Sequence, residues 1–133
     1  RYRLWYSQAP CVFERKYVYI CPGEYDVGMM RNAAECFLGE HDFSAFCANK
    51  NFKKSTVRYI ENFTIVQTKN EIIFEVTGNG FLHHMVRIMV GTLLEVGRGE
   101  RKAESITALF GSKRSDAGDL IPACGLCLME VSY

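Results

Sequence analysis

The segment Leu82 to Val96 constrains this chain most, because its apolar residues lie nearly all the way round a helix. A helix with an apolar stripe needs cover on one side; one that is apolar all round must be enclosed. The segment therefore predicts a buried central helix with the rest of the chain packed about it. It is too short to span a bilayer, and it carries His83, His84, Arg87 and Glu95. Gly97 and Gly99 follow it as stop signals.

The flanking sequence supplies the cover. Arg1 to Ser7 alternates, with Tyr2, Leu4 and Tyr6 on one face and Arg3 and Trp5 on the other, which predicts an aromatic strand. Lys16 to Ile20 reads as a second short strand, and Pro22-Gly23 as a turn. Asp26 is placed to cap a helix running to Gly39, with Met30, Ala33, Ala34 and Phe37 on its inner face. Glu40 to Lys50 reads as a loop or short helix with Asp42 at its start. Thr56 to Gln67 predicts a long strand with Val57, Tyr59, Phe63 and Ile65 on one side. A turn at Lys69-Asn70 leads to its hairpin partner, Glu71 to Thr77, where Ile72, Phe74 and Val76 alternate. Lys102 to Phe110 predicts a shorter helix ended by Gly111, and Gly125 to Tyr133 a closing strand. Hairpins joined to helices in this order predict an α+β fold: a mostly antiparallel sheet with helices packed on one face, one domain over residues 1–133.

Composition excludes some functions. With 16 Lys plus Arg against 15 Asp plus Glu, the net charge of +1 rules out a uniformly basic nucleic-acid coat but not a local basic patch. Hydrophobic residues at 48% supply enough core that disulfide staples are not needed. The six cysteines are therefore expected to be buried free thiols, as in a cytoplasmic protein. Cys124-Gly-Leu-Cys127 is a CxxC without a second pair, and a strand would point the two thiols to opposite faces. The chain opens without Met and without a signal peptide, so it is expected to be a piece of a longer protein.

Several side chains invite chemistry. Arg87 sits within the apolar helix, and an unpaired buried charge costs several kcal/mol, on the order of 3–5, so it must find an anion. Glu75 or Glu95 would make it a structural salt bridge; a catalytic carboxylate or a phosphate would make it functional. On a helix, His83 and His84 diverge by about 100°, which does not suit a shared metal. Lys50, Lys53, Lys54 and Arg58 form a basic run with Phe52 and Tyr59 interleaved, suited either to an RNA backbone or to a solvated loop. Tyr2 is either core or a platform for an unpaired base. Arg114-Ser115-Asp116-Ala117-Gly118 reads as an exposed turn.

Longer strings carry a resemblance. The run Gly78-Asn79-Gly80-Phe81-Leu82-His83-His84-Met85-Val86-Arg87 through Gly97 closely resembles the hallmark helix of the tRNA pseudouridine synthase A family. Leu38-Gly39-Glu40-His41-Asp42-Phe43-Ser44-Ala45-Phe46 is similar to that family's G-x-H-D-F-[ST]-x-F, with Ala33-Ala34 upstream. Tyr2-Arg3-Leu4-Trp5 looks like its Tyr-Arg-aromatic strand, with Leu4 in place of the usual aromatic. Ala123 to Tyr133 matches its A-x-G-L-x-L-x-x-V-x-Y close.

The resemblance implies an isomerase that converts uridine to pseudouridine in the anticodon arm of tRNA, at positions 38 to 40, through an aspartate nucleophile. It implies no metal and no organic cofactor, and a cytoplasmic homodimer with tRNA as partner and no membrane. Tyr2 matches the tyrosine that stacks on the target uridine, and Arg87 the arginine that pairs with the catalytic aspartate. Lys53, Lys54, Arg58 and His84 are then the candidates for RNA contact. The family's nucleophile lies in an R-T-D-A-G-V-H-A string that this chain lacks. Asp116 imitates it, but lies after the second helix and continues as Asp119-Leu120-Ile121. The chain is thus expected to be the C-terminal half of such a synthase, inactive alone. The alternatives are a non-catalytic RNA-binding module and a thiol or zinc protein.

Overall fold

A computed structural model describes residues 1–11, 17–49 and 54–127. Among the described residues, five strands form one sheet: β1 (Tyr2–Trp5), β2 (Tyr19–Ile20), β3 (Gly39–Asp42), β4 (Val57–Gln67) and β5 (Glu71–Gly78), in the order β2-β1-β5-β4-β3. Among these described strands, only the β1–β2 pair is parallel. Two α-helices, α1 (Val27–Glu35) and α2 (Met85–Gly97), pack on the sheet and on each other. The fold is α+β, as the order of elements predicts.

The alternating strands bury the expected face. Tyr2 and Leu4 of β1 stand opposite Phe74 and Ile72 of β5, and all four are buried. In β4 the expected single face does not hold. Val57 and Tyr59 are exposed, while Ile60 and Ile65 are buried. The register shifts between Ile60 and Asn62, so one extra residue flips the strand's faces halfway along. An alternation read straight through a bulge puts half the strand inside out.

The helix ends also differ from expectation. Asp26 does cap α1, its Oδ1 accepting from the Met29 N–H at 3.0 Å. The helix stops at Glu35, though, not Gly39. Cys36, Phe37 and Leu38 each donate to the carbonyl three residues back, which tightens the last turn and releases the chain into β3. Glu40 to Asp42 is therefore strand, followed by a 3-10 turn over Ser44–Phe46 whose first N–H is held by Asp42 Oδ1 at 3.0 Å. Ala103–Leu109 is 3-10 rather than α-helix. Its Ser105 and Thr107 hydroxyls donate to carbonyls three residues back, in competition with regular helix bonds.

The predicted start of the central helix moves from Leu82 to Met85. His84 adopts φ 61°, a left-handed conformation that a helix cannot continue through. From Met85 on, α2 is enclosed as its composition requires, with Ile88, Met89, Val90, Leu93 and Val96 at zero exposure. At the C-terminal end, Ala123–Gly125 is a 3-10 turn and Leu126 bridges Tyr2; the rest of the expected closing strand, 128–133, lies outside the described residues.

Candidate active site

Arg87 projects from the first turn of α2 and is partly buried. Its Nε donates to the Ile121 carbonyl at 2.8 Å, and its Nη1 lies 3.0 Å from His84 Nδ1. Neither expected carboxylate reaches it. Glu75 pairs with Arg1 at 3.1 Å, and Glu95 pairs with Arg101 at 2.9 Å. Among the described residues, no carboxylate forms an ion pair with Arg87. The structural salt bridge that spacing allowed is absent there, and the guanidinium is held by a carbonyl and an imidazole.

The carbonyl comes from a segment laid across α2. Gly91 leaves the groove: a Cβ built on it would overlap the Asp119 carbonyl oxygen. One residue on, buried Thr92 accepts from the Gly118 N–H at 2.9 Å while its hydroxyl donates to Ile88 O at 2.8 Å. Arg101 Nη2 donates to the Asp116 carbonyl at 3.0 Å. These contacts pin residues 116–121 along the helix, and the next carbonyl takes up Tyr2. The Tyr2 hydroxyl donates to Pro122 O at 2.6 Å.

Tyr2 is fully buried. Its ring edge abuts Gly125, where a Cβ would lie 2.8 Å away. Burial raises the phenol well above its ordinary value, with Cys124 and Tyr19 adding to the shift and the Arg87 charge opposing it. The tyrosine is thus neutral and within the field of Arg87. Stacking on a base would need the Ala123–Gly125 turn to move.

His83 and His84 are not side by side on a helix, as expected, but in the turn before it. Their rings lie 3.7 Å apart at 36°. Partial desolvation, then His83, then Arg87 lower the His84 pKa below the usual histidine value. Among the described residues, no three His, Cys, Asp or Glu side chains form a metal-binding group.

The other candidates spread around this centre. Lys50 and Lys53 lie outside the described residues, and Lys54 is exposed. Arg58 donates from Nη1 to the Ser55 and Val57 carbonyls, both at 2.8 Å, and its Nε side lies against Gly80 in the turn leading to His83. The Ala48 N–H donates to the His83 carbonyl at 3.1 Å, two residues before the basic run begins. Asp116 is exposed in a 3-10 turn, its Oδ2 accepting from the Lys113 N–H. His41 and Asp42 build structure instead: His41 stacks on Phe110 at 4.0 Å, and Asp42 holds Ser44 and Thr56. The described cysteines are free, but only Cys47 is buried. Cys21 and Cys36 are partly covered, and Cys124 and Cys127 are exposed, so apolar sequence context overstated their burial.

Sequence reasoning missed the segment 116–122. Carbonyls carry no residue-type signature; the sequence marks the groove through Gly91, one turn beyond Arg87 on the same side of the helix.

A five-stranded, mostly antiparallel sheet backed by helices, with a guanidinium held beside a strand tyrosine, makes this an α+β protein consistent with a pseudouridine synthase-like fold. The family model described as tRNA pseudouridine synthase matches residues 33–133, so the chain belongs to that family. It is 48% identical to the tRNA pseudouridine synthase A of Anoxybacillus flavithermus and 44% identical to the tRNA pseudouridine synthase A 1 of Bacillus cereus, over 100% of this chain and 54% of each relative. The Clostridium kluyveri tRNA pseudouridine synthase A is 44% identical over 93% of this chain and 51% of its own length. The chain thus spans about half the length of the curated relatives it matches.

Proposed function

We propose that this chain is the C-terminal half of a tRNA pseudouridine synthase, which isomerises uridine to pseudouridine in the anticodon arm, at positions 38 to 40. One observation carries the reading. Arg87 is held in place by Ile121 and His84 yet pairs with no carboxylate among the described residues. In this reading the missing anion is the nucleophilic aspartate, supplied by the part of the protein outside this chain. An oriented guanidinium keeps such a carboxylate ionised and aimed, which a nucleophile needs. Tyr2 receives the target base after the Ala123–Gly125 turn opens. The target nucleoside must leave the helix stack to arrive there. Lys53, Lys54 and Arg58 contact the RNA backbone, so affinity is local and salt-dependent despite the near-zero net charge. No cofactor is required, and the intact protein works as a cytoplasmic homodimer. Among the described residues, no helix is long and apolar enough to cross a membrane.

The test compares this chain with the intact protein on a tRNA transcript. This chain alone forms no pseudouridine, and the intact protein does. Arg87→Ala in the intact protein lowers kcat by about 100-fold or more, the scale of removing one preorganised donor from a charge-stabilising site. Turnover by this chain alone that vanishes with Asp116→Ala would make Asp116 the nucleophile and overturn the reading. Tight tRNA binding by the intact protein without any pseudouridine would favour a non-catalytic RNA-binding module.

A further inference from the structure

Resting on that reading, we propose that His84 is a positioning residue for Arg87: its neutral ring, protonated at Nε2, holds the guanidinium through Nδ1 in the plane that meets the incoming carboxylate. An arginine side chain only donates hydrogen bonds. The 3.0 Å contact between Arg87 Nη1 and His84 Nδ1 therefore makes Nδ1 the acceptor and places the ring hydrogen on Nε2. The second fixed point is the Nε bond to the Ile121 carbonyl at 2.8 Å. Two contacts from two different segments fix the plane of a flat group. Among the described residues, Nη2 is left for an anion.

The backbone supports the assignment independently. His84 is the only non-glycine described residue with positive φ. A glycine would adopt this conformation without strain, yet the position carries a histidine. As the N-cap of α2, its side chain makes no capping bond to the helix N–H groups. The ring is turned to Arg87 instead, with the His83 ring 3.7 Å away and tilted by 36°.

The arrangement sets a pH dependence. The charged and titratable groups facing His84 are His83, from the same turn, and Arg87, from α2; the Tyr2 hydroxyl of β1 bonds the segment beyond Arg87. Desolvation, His83 and Arg87 all disfavour the imidazolium, so the ring is neutral at pH 7. As pH falls through the lowered pKa, a hydrogen arrives on Nδ1 and the contact with the guanidinium becomes repulsive. Activity falls on the acid side, below the ordinary histidine value.

The experiment measures kcat and KM for a tRNA transcript against pH in the intact synthase. The Asn amide oxygen can replace Nδ1, whereas the Gln amide reaches the Nε2 position. His84→Asn is expected to keep kcat within about threefold and to flatten the acid limb. His84→Ala and His84→Gln lose about tenfold or more in kcat, with KM within about twofold. His84→Gly, which frees the backbone, unfolds no earlier than the wild type yet loses kcat as Ala does. An unchanged kcat and acid limb in all variants would overturn the proposal. So would a loss confined to KM, which would make His84 an RNA contact, or a loss of kcat that merely tracks lowered unfolding midpoints. A wild-type intact protein that forms no pseudouridine would overturn the underlying reading, and this proposal with it.

Discussion

Tyr2 of β1 and Arg87 of α2 donate to consecutive carbonyls of one segment: Tyr2 Oη to Pro122 at 2.6 Å and Arg87 Nε to Ile121 at 2.8 Å. A strand residue and a helix residue are thereby aligned by a third piece of chain. That piece is held in turn by Gly91, Thr92 and Arg101. Any change that moves it moves both side chains together.

The hydroxyl and the ring of Tyr2 can be separated. Tyr2→Phe removes only the bond to Pro122 O and is expected to cost about 0.5–1.5 kcal/mol. Tyr2→Ala also empties a fully buried site and costs about 3–5 kcal/mol, as other large aromatic truncations do. Urea unfolding of both variants measures the difference.

At most helix interior sites, replacing Gly with Ala adds about 1 kcal/mol of stability. Gly91→Ala is expected to do the opposite. The new methyl overlaps the Asp119 carbonyl, which is backbone and cannot rotate away. A loss of about 1–3 kcal/mol, the range for overpacking, is the expected result in thermal unfolding. In the intact enzyme, activity falls with it because Ile121 and Pro122 are displaced. A stabilised Gly91→Ala variant would contradict the close approach.

Thr92 is the sole buried polar residue among those described. Thr92→Val keeps the shape but strands the Gly118 N–H, at a cost of about 1–3 kcal/mol. Thr92→Ser retains the hydroxyl and costs less. Amide hydrogen exchange at Gly118 reads the same bond directly: it speeds up in the Val variant and stays slow in the Ser variant.

The cap of α1 gives a control far from the site. Asp26→Ala removes the acceptor of the Met29 N–H and is expected to cost about 0.5–2 kcal/mol. Pseudouridine formation by the folded intact enzyme should be unchanged. Chemical denaturation and a tRNA assay on the same preparation check both halves of that statement.

Legibility followed the range of the physics. The hairpin of β4 and β5, the Asp26 cap and the enclosed α2 were readable because each depends on side-chain periodicity or on a cap a few residues away. The faces of β4 were half wrong because a bulge leaves no mark in residue type. The start of α2 was misplaced because nothing in the pair His83-His84 announces a left-handed residue. In the site, Arg87 was legible as a cation needing a partner. The structural pairing with Glu75 or Glu95 does not form because Arg1, far off in sequence, and Arg101, just beyond α2, hold those carboxylates.

By itself the sequence determined the fold class, the enclosure of the central helix, and the family to which the strings around Arg87 and His41 belong. The first two follow from local patterning, where the burial of each residue is set by its own period; the family follows from the resemblance of the strings themselves. Only the tertiary structure decided how Arg87 and Tyr2 are held, that His84 faces Arg87 through Nδ1, and that His41 and Asp42 serve the core. Those outcomes turn on backbone carbonyls and on which groups meet across the fold. A carbonyl is the same in every residue, so its choice of partner becomes definite only when packing brings the segments together.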